Sequence, residues 1–581
     1  MNLVNTFSIL QDRVKRDPDG SLFEYFEAGA WKIVTAKQFY DQVIAVAKGL
    51  VAKGVKIGDS VAIISHTCYE WSLFDFAIWT AGAIPVPVYE TDSAEQIKAI
   101  FEDANIKYAV IENEEIGLRC PDNVPKWFFD KHAVEILSAL GESVSTAEIM
   151  ERSTAKHDND IATIVYTSGS TSRPKGVELT HKALCACVYN GCKGYSEILL
   201  AKNARLLMFL PLAHVLARYV ELTGVAGTST IGMSRSIKTL LDDLRHFKPT
   251  YVLVVPRILE KVYNASSHKA SKGLKAKVFT QATTVAKQYS QIKANKQKPS
   301  LSLEIKHQIF DKLIYSKIRA VLGNNLDFCV SGGAPLDIDL IHFFTGAGIP
   351  VLEGYGMTET SAPVCMNKPN APKIGTVGTA LPGVKAKTSA DGELLLKGVS
   401  INAKYHNLPD ITKEANLNGW FHTGDLAQID NDGYITITGR KKDIIVTAGG
   451  KNVSPQILEE GVRSRPIISQ CVVLGDKKPF ISALITLDPD ELKLWLGENN
   501  LDSDMPMFEA VKNPAVLAEV QRAVDHINHL VSQAESIRKF VVLPEDFSEH
   551  NKLLTASQKV KRAKVIESHK DIIEEQIYSL K

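Results

Sequence analysis

Strand-like apolar runs alternate with helix-patterned segments along most of this sequence, and that alternation predicts an α/β protein. Two further observations divide the chain. Its 581 residues exceed what one core holds, since single domains stop growing near about 250–300 residues. After residue 380 the pattern shifts to hairpin-like strands and then back to helix. A large N-terminal α/β domain, residues 1–439, followed by a small α+β domain, residues 440–581, is therefore expected, with the boundary at Gly439-Arg440.

Thr35 caps a helix whose Phe39, Val43, Val46, Ala47 and Leu50 share one face, closed by Gly54. Ser60–Ile64 reads as a strand. Leu73 to Val88 holds Asp75 and ends in Pro85 and Pro87; it falls short of a transmembrane span and reads as a buried helix running into a strand. Further strands are Ile161–Tyr166, Leu206–Leu210, Tyr251–Val255, Leu326–Val330 and Pro350–Leu352, several of which run straight into loops containing Gly or Pro. Ligands gather beyond the carboxyl ends of strands in open α/β sheets, so chemistry is expected in those loops. Later, Gly392–Lys397, Tyr434–Thr438 and Ile481–Thr486 look like hairpin strands, with Asn431-Asp432-Gly433 as a turn. Helix returns over Pro514–Val531 and from Ala556 onward.

Composition excludes several classes. A chain that is 45% hydrophobic and 23% charged can bury a core, which argues against extended disorder. Lys+Arg 67 against Asp+Glu 66 leaves +1, without the basic footprint that a nucleic-acid partner requires. Met1 to Asn5 lacks the blocks of a signal peptide. The eight cysteines are scattered, and Cys185, Cys187 and Cys192 do not share a helical face; buried free thiols in a reducing cytoplasm fit better than a zinc site. Between Lys261 and Arg319 the lysines face only Glu304 and Asp311, on a helical pattern. The plain reading is a solvated helical insertion; the sharper one is peripheral contact with a membrane surface through anionic headgroups.

Five segments carry candidate chemistry. Tyr166-Thr167-Ser168-Gly169-Ser170-Thr171-Ser172-Arg173-Pro174-Lys175-Gly176 follows a strand. Its small residues let backbone N–H groups approach phosphate oxygens, its hydroxyls add donors, and Lys175 adds charge. The spacing is not that of a Walker A loop. Phe209 to Arg218 places His214 after a strand. Ser331-Gly332-Gly333-Ala334-Pro335 and Glu353-Gly354-Tyr355-Gly356-Met357-Thr358-Glu359-Thr360 each follow a strand, and the Glu359 carboxylate is a hard oxygen ligand of the kind Mg²⁺ prefers. Gly419 to Asp425, Gly439 to Asp443 and Ala448 to Asn452 form a fourth group, and Leu554 to Arg562 a fifth.

In this order, the segments resemble the adenylate-forming enzymes, a superfamily of acyl-CoA synthetases, luciferases and peptide-synthetase adenylation domains. The wording Leu-Pro-Leu-Ala-His-Val at 210–215 looks like its long-chain fatty acyl-CoA ligases. The resemblance spans roughly residues 20–570 and departs from the usual pattern at Ser172, where glycine is common, and at Ala556, where proline is. It implies a multi-subdomain α/β N-terminal domain and a small mobile α+β C-terminal domain. It implies ATP, Mg²⁺ and coenzyme A, with a fatty acid as the acid that is activated. Thr167, Ser168, Gly169, Ser170, Thr171 and Lys175 would hold phosphates. His214 would face the acyl carboxylate and the phosphates. Gly333, Ala334, Pro335, Glu353, Gly354, Tyr355 and Gly356 would enclose the adenine, with Tyr355 stacked on it. Thr358 would contact the α-phosphate, and Glu359 with Thr167 would hold Mg²⁺. Asp425 would take both ribose hydroxyls, with Arg440 near the ribose and phosphates. Lys442 falls at the hinge position, Gly449-Gly450 at the loop that admits the CoA arm, and Lys559 at the adenylation lysine.

Other readings are weaker. Ser172-Arg173-Pro174-Lys175 fits Ser-x-x-Lys of penicillin-recognising enzymes, but Pro174 breaks the helix that motif needs. A non-catalytic adenylate sensor would not need Lys559, Glu359 and Asp425 together. A ligase loading a carrier protein instead of CoA stays open at this point, though Gly449-Gly450 favours CoA.

Overall fold

The computed structural model describes residues 5–167, 174–268, 274–401, 403–555 and 559–579. Ser168, Gly169, Ser170, Thr171 and the start expected for the last helix at Ala556 lie outside the described residues. Among those described, a nine-stranded sheet forms the centre of the N-terminal part. Its middle strands run parallel in the order Val351–Met357, Phe328–Ser331, Tyr251–Val254, Arg205–Met208, Thr230–Met233 and Ser21–Glu27. Antiparallel strands close both ends. A parallel four-stranded sheet, ordered Ile84–Val88, Ser60–Ile64, Ile106–Ile111 and Lys126–Phe128, packs beside a small antiparallel sheet built on Ile161–Thr167 and Lys175–Thr180.

Local sequence explains the elements. Thr35 and Gln38 form a reciprocal capping box at the start of helix Ala36–Ala52, whose Phe39, Val43, Val46, Ala47 and Leu50 are all buried. Helix Tyr69–Thr80 is buried at every position but Glu70 and leads into strand Ile84–Val88, which is an edge strand and so tolerates Pro85 and Pro87. The C-terminal part has its own three-stranded sheet, Ile468–Leu474, Ile481–Leu487 and Ile537–Leu543, covered by helices Pro455–Arg463 and Pro514–Asn528 around a separate core.

Three expectations need correction. The strand expected to stop at Leu352 runs to Met357, because Gly354 and Gly356 let the backbone continue into a tight hairpin with Ala362–Met366. The last helix begins at Arg562, since Leu554 pairs with Val560 and Lys561 N–H donates to Leu553 O, holding 559–561 extended. The Lys-rich segment is no solvated appendage: Leu259, Val262, Phe279, Ala282, Ala286, Tyr315 and Ile318 bury one side of its helices in the core below the large sheet. Cys185, Cys187 and Cys192 are buried all round helix His181–Gly194, and each of the eight cysteines is a free thiol.

Candidate active site

Strands Ile161–Thr167 and Lys175–Thr180 pair so that Thr167 lies opposite Lys175. The chain between them therefore leaves and returns at one point, with Thr167 Oγ1–H donating to Lys175 O at 3.3 Å. The outer neighbour of Lys175–Thr180 is the two-residue strand Lys404–Tyr405, and Tyr405 O–H donates to Glu359 Oε1 at 2.7 Å. Glu359 sits in the turn Thr358–Thr360, which packs on the Lys175–Thr180 strand. Just beyond it Ala362 takes φ +99°, a conformation that costs a non-glycine residue energy and fixes the bend after Glu359. Thr167, Lys175, Thr358 and Glu359 are thus gathered around one corner.

His214 precedes helix Val215–Ala226 and caps it, its Nδ1 accepting from Leu216 N–H at 3.2 Å. The neutral ring therefore carries its proton on Nε2. Burial, then the nearby Lys559 ammonium, pushes its pKa down to about 4. One turn along, buried Arg218 grips Asp75 with two nitrogens, donates to Thr163 Oγ1 at 2.7 Å, and lies 4.7 Å from the Trp79 ring centre. Thr163 belongs to the strand that ends at Thr167, so Arg218 ties the histidine's helix to the Thr167–Lys175 hairpin. In sequence, Arg218 is only the end of the His214 segment and Asp75 a single charge in an apolar run, with no local pattern that pairs them.

Parallel register places Ser331 beside Glu353, which brings Gly333-Ala334-Pro335 alongside Gly354, Tyr355 and Gly356. Gly333 has φ +84° and open space around it; Ala334 and Pro335 are exposed. Glu353 is held up at about 7 by burial, with the Glu460 carboxylate of the C-terminal part adding. Tyr355 O–H donates to Asp425 Oδ2 at 2.6 Å, and burial followed by the Asp425 charge holds that phenol protonated. Asp425 and Arg440 are register partners on adjacent strands, and Arg440 Nε donates to Asp425 Oδ1 at 2.9 Å. Each Asp425 oxygen keeps a lone pair for a further donor. Glu393, unremarked in the sequence, braces the turn before Asp425 by accepting from Gly424 N–H at 2.9 Å.

The C-terminal part reaches this cleft through Lys559. The residue is exposed at the surface, while its ammonium is partly desolvated beside Arg440, Asp425 and Glu359. This desolvation, then Arg440, lowers its pKa, opposed by Asp425 and Glu359. Lys442 lies exposed in the single turn Lys441–Asp443, and Gly449-Gly450 form an exposed turn between the short strands Ile445–Val446 and Asn452–Val453, with Gly450 at φ +76°. The two parts meet through the Arg257–Asp488 ion pair, an Arg463–Glu260 contact of 3.8 Å, and Ser454 Oγ–H donating to Thr438 O at 2.9 Å.

The model of the AMP-binding enzyme family matches residues 10–405, and that of the AMP-binding enzyme C-terminal domain matches 442–580. The chain belongs to the AMP-binding enzyme family. The long-chain-fatty-acid–CoA ligase FadD15 of Mycobacterium bovis is 43% identical over 98% of this chain and 96% of its own. ACSBG2 of Gallus gallus, a long-chain-fatty-acid–CoA ligase, is 31% identical over 98% of this chain and 80% of its own. Among solved structures, O-succinylbenzoate CoA synthetase from Bacillus subtilis with ATP and magnesium superposes with TM-score 0.70 at 19% identity, covering 96% of this chain and 98% of that one. MatB from Rhodopseudomonas palustris with ATP gives 0.73 at 21%, covering 99% and 100%. At these identities the structural likeness establishes the shared AMP-binding fold.

Proposed function

We infer that this AMP-binding enzyme converts a long-chain fatty acid to its acyl-CoA in two steps at the cleft between the parts divided at Gly439-Arg440. The carboxylate attacks the α-phosphorus of ATP and pyrophosphate leaves. The CoA sulfur then attacks the acyl carbon, AMP leaves, and the thiol proton passes to solvent. The observation that carries the assignment of residues is the meeting of Lys559 with His214, Arg440, Asp425 and Glu359 within electrostatic reach of one another.

Charge grows on phosphate oxygens in the first step, so positioned cations and donors supply most of the acceleration. Lys559 stabilises charge between the carboxylate and the α-phosphate; desolvation and Arg440 lower its pKa, and the Asp425 and Glu359 carboxylates oppose that. Thr167 and Lys175 receive the outgoing pyrophosphate. His214, neutral with Nε2–H, donates to the carboxylate or a phosphate oxygen without adding charge. Tyr355 offers its ring to adenine while its hydroxyl positions Asp425 for the ribose diol. Glu359 and Thr167 fit Mg²⁺: one carboxylate oxygen is anchored by Tyr405, and among the described residues no cluster of three His, Cys, Asp or Glu forms a closed cage. Mg²⁺ bound there supplies charge neutralisation on the phosphates. Gly449-Gly450 give the CoA arm room once the small domain has turned about Lys442. Buried free thiols suit a reducing cytoplasm, and peripheral contact with membrane belongs to the same reading because the acid and its thioester are amphiphiles. Fatty-acid-dependent exchange of labelled pyrophosphate into ATP tests the scheme; an acid that forms thioester without supporting exchange contradicts it.

A further inference from the structure

Helix Leu301–Phe310 and the wide turn Asp311–Tyr315 after it have two unlike sides. The inner side is ordinary core. Leu303 and Tyr315 are buried, and His307 stacks on Tyr289 with ring centres 3.9 Å apart and donates to Gly346 O at 2.7 Å. The outer side carries Leu301, Ile305, Ile309 and Leu313 at 80%, 52%, 51% and 48% exposure. Their spacing of four sets them on one stripe along the helix. Single exposed apolar residues need no explanation, but a contiguous stripe does.

Charge says what covers it. Lys298, Lys306, Lys312 and Lys317 are all exposed along the same stretch. Of the two acids in the surrounding segment, Asp311 is engaged by Arg319 at 2.6 Å. A second copy seated here by two-fold symmetry would set lysines against lysines. An anionic bilayer accepts both features, taking the apolar stripe at its acyl boundary and the ammonium groups at its headgroups. Among the described residues no helix is long and apolar enough to cross a membrane, so such contact is peripheral.

We propose that the 301–317 face docks this enzyme on anionic lipid surfaces, where fatty acid is drawn from and acyl-CoA returned to the same phase. This rests on the reading that the chain meets membrane peripherally, and the test separates the two. The full chain is floated with phosphatidylcholine vesicles, with and without phosphatidylglycerol, at low and high salt. Wild-type protein floats with the phosphatidylglycerol vesicles and is released by salt. I305S/I309S and K306E/K312E each lower the partition coefficient on the order of tenfold or more, while melting temperature and turnover of detergent-dispersed acid stay unchanged. No flotation of the wild type overturns both the reading and the face. Flotation that neither variant weakens overturns the face alone. A dimer in light scattering that I305S/I309S turns to monomer assigns the stripe to a second copy and overturns it too.

Discussion

Lys559 is kept out of the helix that follows it: Thr555 N–H donates to Lys559 O at 2.8 Å, and the Leu554–Val560 bridge holds the backbone extended. Its basic neighbourhood suggests a helix start, and only the backbone pairing between 553–555 and 559–561 shows otherwise. Other residues were equally illegible. Tyr405 lies in no motif, and a two-residue strand that exists only through its partner leaves no local pattern. We expect Tyr405→Phe to raise the Mg²⁺ concentration for half-maximal adenylation about 10–100-fold by freeing Glu359; titrating Mg²⁺ against initial rate checks it. For His214 the sign is set by burial. The unfolded ring protonates near about 6.5 and the native one near about 4, so its contribution to stability is present above 6.5 and lost as pH falls toward 4. His181, buried and likewise pushed to about 4, behaves the same way. The melting temperature of His181→Asn should fall less than that of wild type between pH 6.5 and pH 4.5, and parallel curves would count against it.

Elements with one clear period could be read directly. The capped helix Ala36–Ala52 and the strands Ser60–Ile64 and Tyr251–Val254 match their apolar patterns. Strand Val351–Met357 could not, because Gly354-Tyr355-Gly356 has loop chemistry and only the hairpin makes it a strand. A Cβ at Gly356 would overlap the Ala362 carbonyl oxygen, whereas one at Gly333 meets nothing within 4 Å. Gly356→Ala should therefore abolish nucleotide binding or unfold the hairpin, while Gly333→Ala costs roughly 1 kcal/mol for its positive φ; denaturant midpoints and ATP affinity compare them. Helix Val215–Ala226 buries Glu221 against Ser72, and burial raises its pKa to about 8. That contribution is complete below about 4.5 and lost as pH rises through about 8, where wild type must bury a charge. Glu221→Gln should gain roughly 2–4 kcal/mol on wild type between pH 5 and pH 9.

At the scale of the molecule, the order of motifs was visible in the sequence but their convergence was not. Tyr355 and Asp425 are 70 residues apart and share a hydrogen bond only because the end of the nine-stranded sheet meets the separate sheet that holds strand Trp420–Ile429. The present arrangement brings Lys559 within electrostatic reach of Arg440, Asp425 and Glu359 and leaves Gly449-Gly450 exposed, which under the proposed scheme is the adenylation pose. Under the proposed scheme, thioester formation follows a turn of the C-terminal part, with Lys442 absorbing the change in φ and ψ. Lys442→Pro fixes that φ and should keep pyrophosphate exchange while losing thioester formation. The most direct test is Lys559→Ala assayed in both half-reactions. Exchange of pyrophosphate into ATP should fall on the order of 10²–10³-fold, while conversion of supplied acyl-adenylate and CoA to acyl-CoA proceeds at the wild-type rate. Equal loss of both half-reactions would contradict the division of labour and point to a single fixed site.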